Sequence, residues 1–173
     1  MKKQILILSA VLIFLCAGRA ARADKAAAQN QKTQTLKERQ QYIHQRGAMV
    51  MPFDLNKTVH MFQKTPTGGE LTVKVRDPKD ADQIQLIRSH LRKEFILFDN
   101  ADFSDPKTLH GADMPGLALL SKAKGQFSVR YNDLPDGAQL IFTAADPDII
   151  DAIHMWFMAQ MRDHGPDAMP MAP

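Results

Sequence analysis

FQKTPTGGELTVKVRDP, residues 62–78, aligns without a gap with YNDLPDGAQLIFTAADP, residues 131–147. Corresponding positions are 69 residues apart, and Pro, Gly, Leu and the closing Asp-Pro coincide. In each stretch, apolar residues on both sides of a turn with Pro and Gly predict a β-hairpin. A repeat constrains the architecture more firmly than local propensity does. The sequence therefore predicts an internal duplication.

A helix is predicted after each hairpin, because apolar residues recur at helical spacing. The first stripe consists of Ile84, Ile87, Leu91 and Phe95. The second consists of Ile149, Ile150, Ile153, Trp156, Phe157 and Gln160. The order ββα–ββα predicts an α+β fold, in which a four-stranded antiparallel sheet carries both helices on one face around a pseudo-twofold axis.

The ends of the chain predict a targeting segment and a leader. Two lysines, a short apolar run and Ala21-Arg22-Ala23 are typical of a cleaved secretory signal at residues 1–23. The apolar run is too short to span a membrane, so we expect no stable anchor after cleavage. A flexible or partly helical leader is expected at 24–52, a folded domain at 53–165 and an irregular tail at 166–173. Within the domain, repeat one covers 57–98, a linker covers 99–120 and repeat two covers 125–165.

Signal removal changes the charge and the available chemistry. The full chain has 22 Lys and Arg against 19 Asp and Glu, but Lys2, Lys3, Arg19 and Arg22 belong to the signal. The near-neutral remainder gives no support for nucleic-acid binding. The only cysteine, Cys16, also leaves with the signal, so neither a disulfide nor a thiolate is available. We expect a periplasmic or secreted protein.

The linker breaks the symmetry of the two copies and contains motifs of its own. DFSDP (102–106) and HGADMPG (110–116), together with HMWF (154–157) and DHG (163–165), resemble a family of small exported bacterial proteins without an established activity. The resemblance covers about residues 57–165. Some members carry an aspartate carbamoyltransferase label in genomes. The sequence does not support that label, because it lacks a phosphate loop resembling S-T-R-T.

Histidines and methionines are the candidate ligands. In a cysteine-free exported chain, imidazole and thioether suit copper, especially Cu(I), while zinc prefers His with carboxylate. His154 and Met158 lie one helical turn apart on the second helix, with Met161 beyond them. His110 and Met114 are four residues apart in the linker. His90 lies off the apolar stripe of its helix, where it either faces the linker or belongs to a solvated flank. The predicted metal ligands are His110, Met114, His154, Met158 and His90.

Two other functions fit the same residues. Each histidine and methionine can instead be a packing residue, in which case the protein is an interaction or envelope-assembly module with a protein partner. Alternatively, His110 with Asp105 or Asp113, and Ser104 as a nucleophile, would form a small hydrolase or lyase. No common catalytic fingerprint is present, so we expect a binding protein rather than an enzyme. The oligomeric state is left open.

Overall fold

The computed structural model describes residues 35–170. The predicted signal at 1–23 and much of the predicted leader lie outside the described residues. The chain divides into two units, residues 1–39 and residues 40–173. The described part of the first unit is the start of helix α1 (Leu36–Arg46), where the Glu38 carboxylate accepts hydrogen bonds from the backbone and hydroxyl of Thr35.

One mixed sheet of five strands forms the centre of the second unit. In chain order the strands are β1 (Thr58–Thr65), β2 (Gly68–Val75), β3 (Phe127–Leu134), β4 (Gly137–Ala144) and β5 (Ala168–Pro170). Their order across the sheet is β3-β4-β2-β1-β5, with every pair antiparallel except β5, which runs parallel to β1. The α+β class is therefore confirmed. The predicted four-stranded, wholly antiparallel sheet is not, because the tail adds a parallel edge strand.

Four further helices follow, and the two long ones pack on the same face of the sheet. They are α2 (Ala81–Asp99), α3 (Ser104–His110), α4 (Leu117–Leu120) and α5 (Pro147–His164). Asp80 caps α2 by accepting from the Gln83 backbone, and Asp146 caps α5 by accepting from Asp148. Side chains of α2, α5 and the inward face of β2 share one hydrophobic cluster. Among residues 35–170, no helix combines the length and apolar character needed to cross a membrane.

The folded domain extends beyond both predicted boundaries. Ile43 and Met51 are buried in the core, so the domain begins before residue 53. At the other end, a 3-10 helix at Gly165–Asp167 leads into β5, where an irregular tail was predicted. Both boundaries differ from the prediction for the same reason. The two segments are mostly polar, and their few apolar residues join the sheet or the core only through tertiary contacts.

Each long helix also contacts the turn of the hairpin that it does not directly follow in the chain. The Arg88 guanidinium on α2 donates to the carbonyls of Leu134 (2.5 Å) and Gly137 (3.3 Å). His154 Nε2 on α5 lies 3.0 Å and 2.8 Å from the carbonyls of Thr65 and Gly68. A ring nitrogen facing two acceptors must be the protonated one. The His154 side chain is therefore hydrogen-bonded to the turn of the first hairpin.

Gly116 holds α4 against α5, and its replacement is expected to be costly. Gly116 has φ +79°, and an added Cβ would lie 2.1 Å from the Ala152 carbonyl oxygen. Gly125 has nearly the same φ, +78°, with nothing within 4 Å of an added Cβ. We expect Gly125→Ala to lower the free energy of unfolding by about 1 kcal/mol from backbone strain alone. Gly116→Ala should cost at least about 2 kcal/mol more, because the helices must separate.

Chemical denaturation of both variants measures this difference directly. Since the two glycines share one backbone conformation, Gly125→Ala is the matched control for strain. Equal losses in the two variants would mean that α4 can move away from α5 without a packing cost.

Candidate functional site

A partly open cavity of about 60 Å³ lies between β1, α2, α3 and α5. Its walls are largely apolar, with Phe62, Leu91 and Phe98 among them. The polar side chains that line it are His60, His90, Glu94, Asp105, His110, Trp156, Gln160 and His164. So many polar groups around one small internal space distinguish this cavity from the aromatic core beside it.

Simple local rules place these side chains. On β1, alternation directs His60 and Phe62 to the helical face of the sheet. On α2, Glu94 occupies the same buried stripe as Leu91 and Phe98. Helix α3 ends at Gly111, which has φ +96°, so His110 lies in its last turn.

Helix α5 contributes the opposite wall of the cavity. Trp156, Gln160 and His164 follow at intervals of four residues and share one buried face. The helix ends at Gly165, which has φ +53°. His164 therefore sits in the final turn with 4% of its surface exposed.

Polar atoms without hydrogen-bond partners are concentrated at this cavity. In the part of the chain that the structure describes, six buried side-chain nitrogen or oxygen atoms lack a partner. Five of them belong to cavity-lining residues: His60 Nδ1, Glu94 Oε1, Trp156 Nε1, Gln160 Oε1 and His164 Nδ1. A buried unsatisfied polar atom costs about 1–3 kcal/mol, so such a concentration indicates a site that is completed by something else.

Three of the four lining imidazoles contact one another. The His60 and His164 rings are stacked, with centroids 4.7 Å apart and planes inclined by 13°. His110 meets His164 edge to face at 5.1 Å. Phe53 packs against both His60 and His90, with centroids 5.7 Å and 5.6 Å away. The result is a continuous aromatic wall with nitrogen atoms at its edges.

Burial keeps the imidazoles uncharged. It lowers the pKa of His60 to about 3, with the charge of His90 as the next cause and the Asp167 backbone partly opposing. Burial also lowers the pKa of His90 to about 4. For His164, burial and then the neighbouring His60 hold the pKa well below its ordinary value. At neutral pH these three rings present lone pairs and N–H groups without charge.

Glu94 is the other group whose protonation the site changes. Burial, followed by a side-chain hydrogen bond with Asp105, raises the pKa of Glu94 to about 8, so it is protonated at neutral pH. Burial alone would raise the pKa of Asp105, but hydrogen bonds from Lys93 and Glu94 bring it below its usual value. Lys93 Nζ lies 2.6 Å from Asp105 Oδ2. Asp105 therefore carries the negative charge and Glu94 the proton.

His110 is paired with a carboxylate that sequence reasoning did not select. Its Nδ1 lies 3.1 Å from Asp163 Oδ2, and both side chains are almost completely buried. The exposed Arg162 guanidinium contacts the other carboxylate oxygen of Asp163 at 3.3 Å. Asp105 lines the same cavity as His110 but is bonded to Lys93 and Glu94, while Asp113 and Ser104 are exposed. The His/Asp pair thus joins the linker to the end of α5.

The five ligands predicted from the sequence are not brought together. His110 and His90 line the cavity. Met114 is buried in the hydrophobic core, and His154 is bonded to the hairpin turn. Met158 is 54% exposed, with its sulfur 3.9 Å from Lys64 Nζ. Among residues 35–170, no group of three or more His, Cys, Asp or Glu side chains has an arrangement that could hold a metal ion.

The stacking of His60 on His164 is one reason why these two imidazoles do not form a metal site. An imidazole binds a metal through a lone pair in its ring plane at about 2 Å. Since the planes of His60 and His164 are nearly parallel and offset, their lone pairs do not meet at one point. A metal at this position would require at least one ring to rotate.

Sequence reasoning missed His60, Glu94, Gln160 and His164 as site residues. A usable signal was present for three of them. Glu94 interrupts the apolar stripe of α2, and Gln160 and His164 extend the stripe of α5, so each is a polar residue at a core position. Such residues are rarely buried without a partner. His60 gave a weaker signal, because a strand histidine packs readily against aromatic neighbours.

The comparisons with known proteins add no relative. No protein-family model, no curated protein and no solved structure matches this chain.

Proposed function

We propose that this protein binds a small molecule in the cavity lined by His60, Glu94, Trp156, Gln160 and His164, the histidine pocket. The observation that carries the proposal is the convergence of five unpartnered buried polar atoms on one cavity. Native proteins leave few such atoms, and these five come from β1, α2 and α5. A ligand with complementary hydrogen-bonding groups would satisfy them together.

The volume of the histidine pocket limits the size of the ligand. A cavity of about 60 Å³ has room for about four water molecules, or a molecule with about four non-hydrogen atoms. Such a ligand gains at most about 1.5 kcal/mol per atom, or about 6 kcal/mol in all, so its dissociation constant should be no tighter than tens of micromolar (about 40 μM). The pocket is therefore suited to a small metabolite or to the reactive end of a larger one.

The test uses Trp156, the only tryptophan of the chain, as a reporter. Its indole N–H gives a single resonance in a nitrogen–proton correlation spectrum, and Trp156 lines the pocket. Three planar probes of matched shape are titrated separately: acetamide, acetate and acetamidinium. A saturable shift of the Trp156 resonance by any one of them supports the proposal. If none shifts it up to about 100 mM, and a crystal structure places only ordered waters on the five atoms, the proposal is wrong.

A second candidate is a site for a soft transition metal, copper first. It is supported by four imidazoles, from His60, His90, His110 and His164, around one cavity in a chain whose only cysteine is Cys16. The Asp163 carboxylate at His110 is also typical of groups that orient metal-binding histidines. Competition titration with Cu(I), Cu(II) and Zn(II) tests it. Binding weaker than about micromolar, unchanged by His110→Ala, would exclude this candidate.

We also propose that the protein is exported, in keeping with the signal-like residues 1–23. A protein partner in the envelope, as in the assembly alternative, is compatible with the free edge of β3 and of the short β5. Mass analysis of the mature N-terminus from periplasmic and medium fractions tests export.

Finally, we propose that the domain arose by duplication of a ββα unit. The pairing of β2 with β4 supports this, because Leu71 faces Leu140, its own counterpart 69 residues later. The crossed contacts support it further. Arg88 binds Leu134 and Gly137, and His154 binds Thr65 and Gly68, which occupy the corresponding turn positions. Two unrelated halves would have no reason to exchange equivalent contacts.

A further inference from the structure

We infer that the histidine pocket selects an uncharged, planar ligand that both donates and accepts hydrogen bonds, of the primary-amide class. This inference rests on the proposed binding function and deepens it by naming the ligand chemistry. It is derived from the donor and acceptor character of the unpartnered atoms and from the charges that surround them.

The unpartnered atoms define what the ligand must offer. The Trp156 indole N–H can only donate, so the ligand needs an acceptor. Glu94 is protonated and hydrogen-bonded to Asp105, which makes its unpartnered Oε1 a carbonyl-type acceptor. His60 donates to the Asp167 backbone, so its unpartnered Nδ1 carries the lone pair of the neutral ring. Gln160 Oε1 is a further acceptor. A ligand that carries both a carbonyl and N–H groups, as a primary amide does, can meet the donor and two of the acceptors together.

An ionic ligand would lack a counter-charge. The imidazoles of His60, His90 and His164 are uncharged at neutral pH, so none neutralises an anion. A cation would find Glu94 protonated, and the charge of Asp105 is compensated by Lys93 at 2.6 Å. Transferring an unpaired ion into such a cavity is far more costly than transferring an amide.

Titration of the wild-type chain with acetamide, acetate and acetamidinium tests the inference through the Trp156 resonance. At pH 7, acetamide should bind about tenfold or more tightly than either ion. Glu94→Gln keeps an acceptor oxygen at this position and should keep the preference for acetamide. Dispersion of the remaining amide resonances verifies that each variant is folded.

A failure of this inference can be distinguished from a failure of the proposed binding function. Binding of acetate or acetamidinium at least as tight as acetamide at pH 7 overturns the inference while the proposed binding function stands. If none of the three probes binds, both the inference and the binding proposal are wrong.

Discussion

Trp156→Ala should lower the free energy of unfolding by about 3–5 kcal/mol, a large share of the roughly 5–15 kcal/mol available to a domain. Trp156 is fully buried where the aromatic core meets the histidine pocket. Its ring packs edge-on against Phe98, Phe103 and Phe142, with centroids 5.2–5.5 Å away. Truncation therefore removes contacts with α2, the linker and the sheet at once. Urea denaturation followed by far-ultraviolet circular dichroism gives the loss.

Two further variants make this result interpretable. Trp156→Phe keeps an aromatic ring but removes the N–H that lines the pocket, so we expect a loss of only about 1–2 kcal/mol. Ile96→Ala removes a side chain that is 61% exposed and should change stability by less than about 1 kcal/mol. If Trp156→Ala costs no more than Trp156→Phe, the aromatic core closes around the gap and the packing account is wrong.

The sequence predicted the strands and long helices because their signals are local. Alternation in Leu71-Thr72-Val73-Lys74-Val75 and the stripe of Ile84, Ile87 and Leu91 need no knowledge of distant residues. Strand β5 carries no comparable signal: three residues that include a proline become a strand only because β1 offers a free edge. Ile43 likewise enters the core although its helix is mostly polar. Tertiary context decides such elements.

The candidate site was less predictable for a related reason. His110 and Asp163 are 53 positions apart, and no spacing rule connects them. The methionine and histidine spacing on α5 was real, but Met158 faces outward and His154 binds a turn. Spacing shows which residues share a helical face, whereas function depends on what that face meets. Polar residues at core positions, Glu94 and Gln160 above all, were the better guide.

The polar lining of the histidine pocket comes mainly from β1 and the two long helices. Helix α2 follows the first hairpin and α5 follows the second. With β1 they supply six of the eight polar lining side chains, and the linker adds His110 and Asp105 through α3. The elements that carry clear local sequence signals therefore also carry most of the polar groups of the pocket.

Acidification should destabilise the protein far more than its composition suggests. His60, His90 and His164 stay neutral in the folded chain at pH values where unfolded histidine, with a pKa near 6.5, is protonated. Each folded pKa is depressed, so stability is complete above about pH 6.5 and is lost as the pH falls toward the folded values. Each site contributes about 1 kcal/mol per pH unit in that window.

Glu94 changes the free energy of unfolding with pH in the opposite direction to the three histidines. Its raised pKa means that the folded chain holds a proton which the unfolded chain releases between about pH 4.5 and 8. Its contribution therefore decreases as the pH rises. Three histidines against one glutamate leave a net loss of stability between pH 7 and pH 5, and a shallow decline above pH 7.

Two substitutions should move this profile in opposite directions, which no general acid sensitivity would do. His164→Gln removes one histidine whose pKa is depressed by burial, so the loss between pH 7 and pH 5 should become smaller. Glu94→Gln removes the opposing group, so the acid loss should grow by about 2 kcal/mol and the decline above pH 7 should disappear. Denaturant titrations at half-unit pH steps measure both. Profiles that change in the same direction would show that the histidine pocket does not control the protonation of these residues, because the sign of each change depends only on which side chain the pocket keeps neutral.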